Sequence, residues 1–467
     1  MKKTIALALF VFAAPVLALS VALLCEHKLD VELRQAVTAQ SADLTAAQIQ
    51  KITVRRLLAI SDDADLDPVR AQIGHFNLMR AGALTLIGVV LLYFASLWTA
   101  GKLAVRDRSL LLRVFKPGFY LSSGLLAATT VVNAALLMAA IYYGESYLLG
   151  VIHPKIILLV GLGAIGGSFA IIKAALASRK IEAAEVFGKT LREAEHPRIW
   201  SEVRALAGKT GSLAPENIVM GLDPTFFVTE GDVATLDGAL TGRTLFFSAP
   251  LTRLLSETQF RAVIAHELGH FKGKDTEYSM KFYPVYRGLG LSLARLQYTQ
   301  GTMAFAVIPT MIMIGIFLDS FAKAEAKLSR ERELAADAVA VSATDARSFA
   351  VALARIVVCG PYWEKADEEF VQEIRGGQTP PNVCSFIAAR ALAGVSPEAM
   401  AEVGQGHMSH PTDSHPPTGV RLEAIGIGLD QIRDEVVKQD AGPSAMDIID
   451  GAAALEESLS TVYGERL

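Results

Sequence analysis

Cysteine is scarce in this chain: Cys25, Cys359 and Cys384 are the three thiols among 467 residues. They form neither a CxxC pair nor an even set, which argues against a disulfide framework and suits a domain in a reducing compartment. Buried, chemically inert thiols are the plain reading. An excess of basic charge is also missing. Lys plus Arg number 44 against 48 Asp plus Glu, a formal net charge of -4, so nothing offers a footprint for nucleic acid. A wholly water-soluble chain is disfavoured as well, because hydrophobic residues make up 52% of the sequence.

That apolar content is concentrated in runs of bilayer-spanning length. Residues 4–24 follow Lys2 and Lys3 and carry no charge, so they read as an uncleaved anchor in preference to a removable signal. Further runs at 81–100, 119–143 and 155–176 bring the expected spans to four. Lys102, Arg106, Arg108, Arg113 and Lys116 lie between the second and third, and Lys173, Arg179 and Lys180 follow the fourth. The positive-inside rule makes both segments cytoplasmic and puts 25–80 on the far side. In 61–67, Ser-Asp-Asp-Ala-Asp-Leu-Asp lacks the Gly and terminal Glu of a calcium loop and reads as a solvated turn. Gly161, Gly163 and Gly166 spell GxGxxG inside the fourth apolar run; without a preceding strand they signal close helix packing, not a dinucleotide site.

Mixed polar sequence begins near residue 179. Short β-type runs, NIVM, TFFVT and RTLFFS, occupy 217–249, and the last of them is expected to offer an edge for an extended peptide. The period then changes. Ser256 and Gln259 form a capping-box pair, and Phe260, Ile264 and Leu268 recur every four residues, predicting a helix over about 257–272. It carries His266-Glu267-Leu268-Gly269-His270. Histidines four apart stand one turn apart on one face and can share a Zn²⁺, while Glu267, turned off that face, is placed to take a proton from water.

A catalytic zinc needs a third protein ligand. Thr276 stands where HExxHxxGxxH would need its last histidine, so that pattern fails. A glutamate from a later helix is the alternative, and 322–343 is rich in helix formers without Gly or Pro. Glu333 and Asp337 are four apart there; if Glu333 binds metal, Asp337 shares its face and can accept a hydrogen bond from a ligating histidine. A solvated charged face is the competing reading of these acids, and it suffices for Glu325 and Glu331.

Ser329-Arg330-Glu331-Arg332-Glu333-Leu334-Ala335-Ala336-Asp337 resembles the SRxxExxAD signature of the HtpX-like and CAAX-prenyl-protease-type membrane metallopeptidases. HELGHFKGKDT is similar to their HExxH helix, and Ser414-His415-Pro416-Pro417-Thr418-Gly419-Val420-Arg421 to their carboxy-terminal HPxxxxR segment. The resemblance runs from about Ile218 to Leu422. It implies Glu333 as third zinc ligand, Asp337 as its supporting carboxylate, His415 near the oxyanion and Arg421 as its electrostatic neighbour. His407 and His410 lie close enough to compete with His415. One departure is Asp223-Pro224-Thr225-Phe226-Phe227, where the family often has Asn-Ala-Phe.

These observations predict a mainly α, polytopic membrane protein with a gluzincin-type zinc metallopeptidase domain containing a small β-sheet. Its expected parts are a membrane region, 1–178, a peptidase domain, 179–430, and a tail, 431–467. His270 and Glu333 must lie on one side of the membrane, so the apolar run 303–318 is expected to pair with 281–299 as a hairpin or to re-enter within an insertion at about 281–319. The expected function is hydrolysis of protein or peptide substrates by one zinc ion, with Glu267 as general base, in a bacterial-type inner membrane with the catalytic domain in the cytoplasm. A membrane scaffold that binds zinc and cleaves nothing is the rival. The sequence assigns neither a natural substrate nor an oligomeric state.

Overall fold

The computed structural model describes residues 11–40, 44–104, 108–177, 183–272, 304–377, 382–396, 399–401, 416–438 and 443–467. The chain divides into two compact units, residues 1–180 with 284–324 and residues 181–283 with 325–467. Most described residues are helical, and two small sheets complete the secondary structure.

In the first unit the helices are α1 (Ala13–Gln40), α2 (Ala46–Gln50), α3 (Val54–Ile60), α4 (Asp67–Ala104), α5 (Arg108–Gly144) and α6 (Pro154–Ala177). Two stretches, Ala64–Leu103 and Tyr120–Leu149, are long and apolar enough to cross a bilayer. They contain the expected span 81–100 and all but the first residue of 119–143; the beginning of the expected 4–24 span lies outside the described residues, and 155–176 falls within α6. Large apolar side chains such as Leu91, Leu92, Trp98, Leu121, Ile165 and Phe169 stand exposed, the reverse of a water-facing surface. α6 runs unbroken through the GxGxxG glycines, and a Cβ at Gly161 would lie 3.2 Å from Met138 Sδ on α5. That is helix packing, as the sequence suggests. The acidic turn is also local chemistry: Asp63 accepts a hydrogen bond from Asp65 N and caps a short 3₁₀ turn, Ala64–Leu66.

The second unit holds β1 (Ala184–Glu185), β2 (Gly188–Thr190), α7 (Pro197–Thr210), β3 (Asn217–Gly221), β4 (Phe226–Thr229), β5 (Val233–Thr235), β6 (Gly238–Leu240), β7 (Thr244–Ser248), α8 (Ala249–Arg253) and α9 (Glu257–Lys272). After these come α10 (Ala304–Ala343), whose second half belongs here, then α11 (Ala346–Arg375), α12 (Val383–Ala393), α13 (Thr418–Ala424), α14 (Leu429–Val437) and α15 (Ala452–Arg466). The main sheet has the order β2-β3-β7-β4, with β3 parallel to β7 and the outer pairs antiparallel. β7 is therefore an interior strand, buried at every residue, and corrects the expectation that it offers an edge. Both its sides are already paired. The open edge on this side belongs to β4, whose only strand partner among the described residues is β7.

α9 crosses this sheet because its apolar positions meet aromatic ones. Phe260 packs edge-on to Phe247 of β7 at 5.4 Å and contacts Phe226 of β4. Residues 431–467, set apart in the sequence as a tail, contribute Ile432, Val436 and Leu459 to this same core. Cys359 and Cys384 are buried free thiols, and burial pushes the Cys359 pKa up to about 11.

A close approach to the α9 backbone occurs at Gly269, where a Cβ would lie 3.2 Å from Ala336 Cα on α10 and 3.4 Å from Val339 Cβ. A branched side chain there must push the helices apart. Gly269→Val is expected to cost about 1–3 kcal/mol, read as a lower urea midpoint, with Gly269→Ala costing less.

Candidate metal centre

Four helices build the centre. α9 begins at a reciprocal cap: Ser256 N donates to Gln259 Oε1 at 3.1 Å and Gln259 N to Ser256 Oγ at 3.4 Å. This is the pair visible in the sequence, and the helix it starts spans Glu257–Lys272. One turn apart on it, the rings of His266 and His270 stand 4.9 Å apart at 87°. α10 brings Glu333 and Asp337 against them, α13 brings Arg421, and α11 lays Phe349 against the His266 ring at 5.6 Å and 24°.

His266, His270 and Glu333 each present one ligand atom, all within 4.8 Å of one another. His266 Nε2 lies 3.6 Å from Glu333 Oε2, and His270 Nε2 lies 3.5 Å from Glu333 Oε1. Nitrogen and oxygen ligands about 2.0–2.2 Å from a tetrahedral zinc stand about 3.3–3.6 Å from each other. The observed spacings fit one such ion. Charge supports the same conclusion. Glu267, Glu333 and Asp337 are buried together beside the buried guanidinium of Arg421. A cation among these carboxyl groups would offset the cost of burying them together.

Asp337 organises the remaining contacts. Arg421 donates from Nε to Oδ2 at 2.9 Å and from Nη2 to Oδ1 at 2.6 Å, a bidentate pair, while its Nη1 lies 3.5 Å from Glu333 Oε2. On the other side, Oδ1 lies 2.9 Å from His266 Nδ1, although the ring N–H is not aimed squarely at it. A proton on Nδ1 leaves Nε2 as the ligand nitrogen facing Glu333. Burial of Asp337 works to raise its pKa, but the hydrogen bonds with Arg421 and His266 outweigh it and hold the carboxyl below its ordinary value. Burial likewise opposes the charge on Arg421, and Asp337 more than offsets that.

Of the residues singled out from sequence, the structure brings His266, Glu267, His270, Glu333, Asp337 and Arg421 to one buried cluster. Arg421 grips both α10 acids. His415, with its competitors His407 and His410, lies outside the described residues, as does the 281–299 limb of the expected hairpin. The 303–318 run, from Ala304 onward, is the start of the helix that carries Glu333. Sequence reasoning missed Phe349 and the close approach at Gly269. Phe349 gives no local signal, whereas the small residue inside the motif was available to be read as a contact point.

Residues 222–426 match the model of peptidase family M48. This segment is similar to an M48 peptidase domain. The chain is also 27% identical over 150 residues to a protease HtpX homolog of Thermoplasma volcanium, an alignment covering 29% of this chain and 46% of that protein. It thus spans about half the length of this curated relative. The M48 match contains every clustered residue named above and ends before α14 and α15.

Asp337→Asn removes the anionic partner of a buried guanidinium, so it is expected to cost about 3–5 kcal/mol and to weaken Zn²⁺ affinity about 10- to 100-fold. Because the native pKa of Asp337 is depressed, its contribution is present above the unfolded value of about 3.9 and fades as pH falls through the lower native value. Urea unfolding of the metal-free protein between pH 2 and 6 should therefore show wild type losing more stability on acidification than Asp337→Asn.

Proposed function

We propose that this chain is a membrane-embedded, zinc-dependent endopeptidase. The observation that carries the reading is the convergence of His266, His270 and Glu333 within 4.8 Å, beside a buried Glu267. Zinc is the ion best suited to two imidazoles and one carboxylate. When bound, it would polarise the scissile carbonyl and make water more acidic.

The chain's own residues supply the rest. Glu267 follows a ligand directly in α9 and has no place in the three-residue donor set, so its carboxylate is available to accept a proton from the attacking water and pass it to the leaving amine. Asp337 holds the His266 tautomer, and Arg421 keeps Asp337 ionised and helps to orient both acids. His415 is assigned to the developing oxyanion on the strength of the SHPPTGVR resemblance, with Arg421 adding positive charge nearby. β4 replaces β7 as the edge along which an extended protein or peptide substrate would pair.

Membrane embedding is supported by the two apolar helices of spanning length and by exposed leucines along α4 and α5. The four-span topology, with the peptidase domain cytoplasmic, rests on the lysines and arginines flanking the apolar runs. A hairpin or a re-entrant segment at about 281–319 would keep His270 and Glu333 on one face. A reporter fusion that put residues 275 and 345 on opposite faces would rule out their sharing an ion.

Detergent-purified wild type is expected to hold one zinc per chain and cleave casein. Glu267→Gln should keep the zinc and lose about 10²- to 10⁴-fold in kcat, whereas Glu333→Ala should lose the metal itself. Wild type that binds zinc but cleaves neither casein nor membrane-protein substrates would favour the silent scaffold.

A further inference from the structure

The amino end of α9 is built jointly with residues beyond the M48 match. Glu257 N donates to Pro443 O at 3.0 Å, Ala445 N donates to Leu255 O at 3.1 Å, and Ser444 bridges to Ser256, the cap of the metal helix. At this junction lies Arg355 of α11, 1% exposed and the largest fully buried side chain described. Its Nη1 donates to Leu254 O at 2.6 Å and to Gln259 Oε1 at 3.0 Å. Nε donates to Val436 O at 3.1 Å, while Nη2 donates to Lys438 O at 2.7 Å and also to Glu435 O.

Each of those acceptors is a neutral oxygen. Three are carbonyls at the carboxy end of α14, where the helix dipole favours a cation. The other two are the turn entering α9 and the very amide that closes its capping box. One planar guanidinium thus satisfies α14 and fixes the start of the metal helix together, a geometry that a lysine ammonium does not reproduce. Farther along the same face of the site, Phe349, also on α11, stacks on His266. α11 therefore holds α9 at two points, its first turn and its first ligand.

We propose that Arg355 is a positioning residue for the metal centre. It locks the turn entering α9 to the carboxy end of α14 and so sets where His266 and His270 stand. This rests on the metal-site reading above, but its effect on α9 exists without any ion.

Arg347 supplies the control. It lies on the same helix and grips α14 through Glu435 and Gln431 O, but it is half exposed and, among the described residues, its bonds do not reach α9. The full-length protein in detergent would be compared as wild type, Arg355→Lys, Arg355→Met and Arg347→Ala, at a temperature where each remains folded. Both Arg355 variants are expected to bind Zn²⁺ at least about tenfold more weakly in chelator competition and to alter the visible spectrum of bound Co²⁺. In the metal-free protein they should also speed hydrogen exchange at amides 258–264, and Arg347→Ala should change none of these. Should Arg355→Met fail to fold, Arg355→Lys carries the comparison. Arg355 variants that unfold at lower temperature yet keep wild-type affinity, Co²⁺ spectrum and α9 exchange would overturn the proposal and leave Arg355 a stabilising residue only. If wild type takes up neither Zn²⁺ nor Co²⁺, the metal reading fails by itself. Hydrogen exchange then decides the coupling of Arg355 to α9: faster exchange supports that coupling and unchanged exchange overturns it.

Discussion

The centre depends on bringing two helices close enough for imidazoles on one and carboxylates on the other to meet one ion. The absence of a side chain at Gly269 makes this possible, since its Cα faces Ala336 with no room for a branched residue between them. Small residues on both sides set the helix separation, and that separation puts Nε2 of each histidine about 3.5 Å from a Glu333 oxygen. Much else follows from this approach. Acids driven so near each other in a buried place need positive charge, and Arg421 answers it with a bidentate grip on Asp337 and a longer contact to Glu333.

Features set by neighbours in sequence were legible before the structure. The Ser256–Gln259 cap and the four-residue apolar repeat mark α9, and the i, i+4 histidines need nothing but helix geometry to share a face. Glu333 was harder, because its helix face alone cannot be told from a solvated one; the resemblance to a known signature singled it out, and the structure brings it to the histidines. Strand order was not legible. β7 looks like any short apolar strand, and only pairing with both β3 and β4 makes it interior. Arg355 was invisible for the same reason, since its acceptors lie about 80 to 101 residues away along the chain.

α10 joins two kinds of chemistry in one continuous element. Its first half is the apolar run that raised the question of topology, and its second half carries Glu333 and Asp337. No loop intervenes to decouple them. The side of a membrane assigned to the end of the apolar half would therefore also be the side of Glu333 and Asp337.

The carboxy-terminal segment bears on the opposite end of the site. A general base and its neighbouring ligand are useful only while α9 keeps its register, and a misplacement of about 1 Å can cost roughly a hundredfold in rate. Within the M48 match, Gly269 and Phe349 restrain the ligand-bearing turns of α9. The Glu257 amide at its start is satisfied by Pro443, and the Leu255 and Leu254 carbonyls of the turn that leads into it by Ala445 and Arg355. Unsatisfied, those buried groups would each cost on the order of 1–3 kcal/mol and would favour fraying from the capped end. Residues outside the matched segment are therefore part of what holds the start of α9 in place, and a chain cut at the end of that segment would lack Pro443 and Ala445, two of the partners at that start.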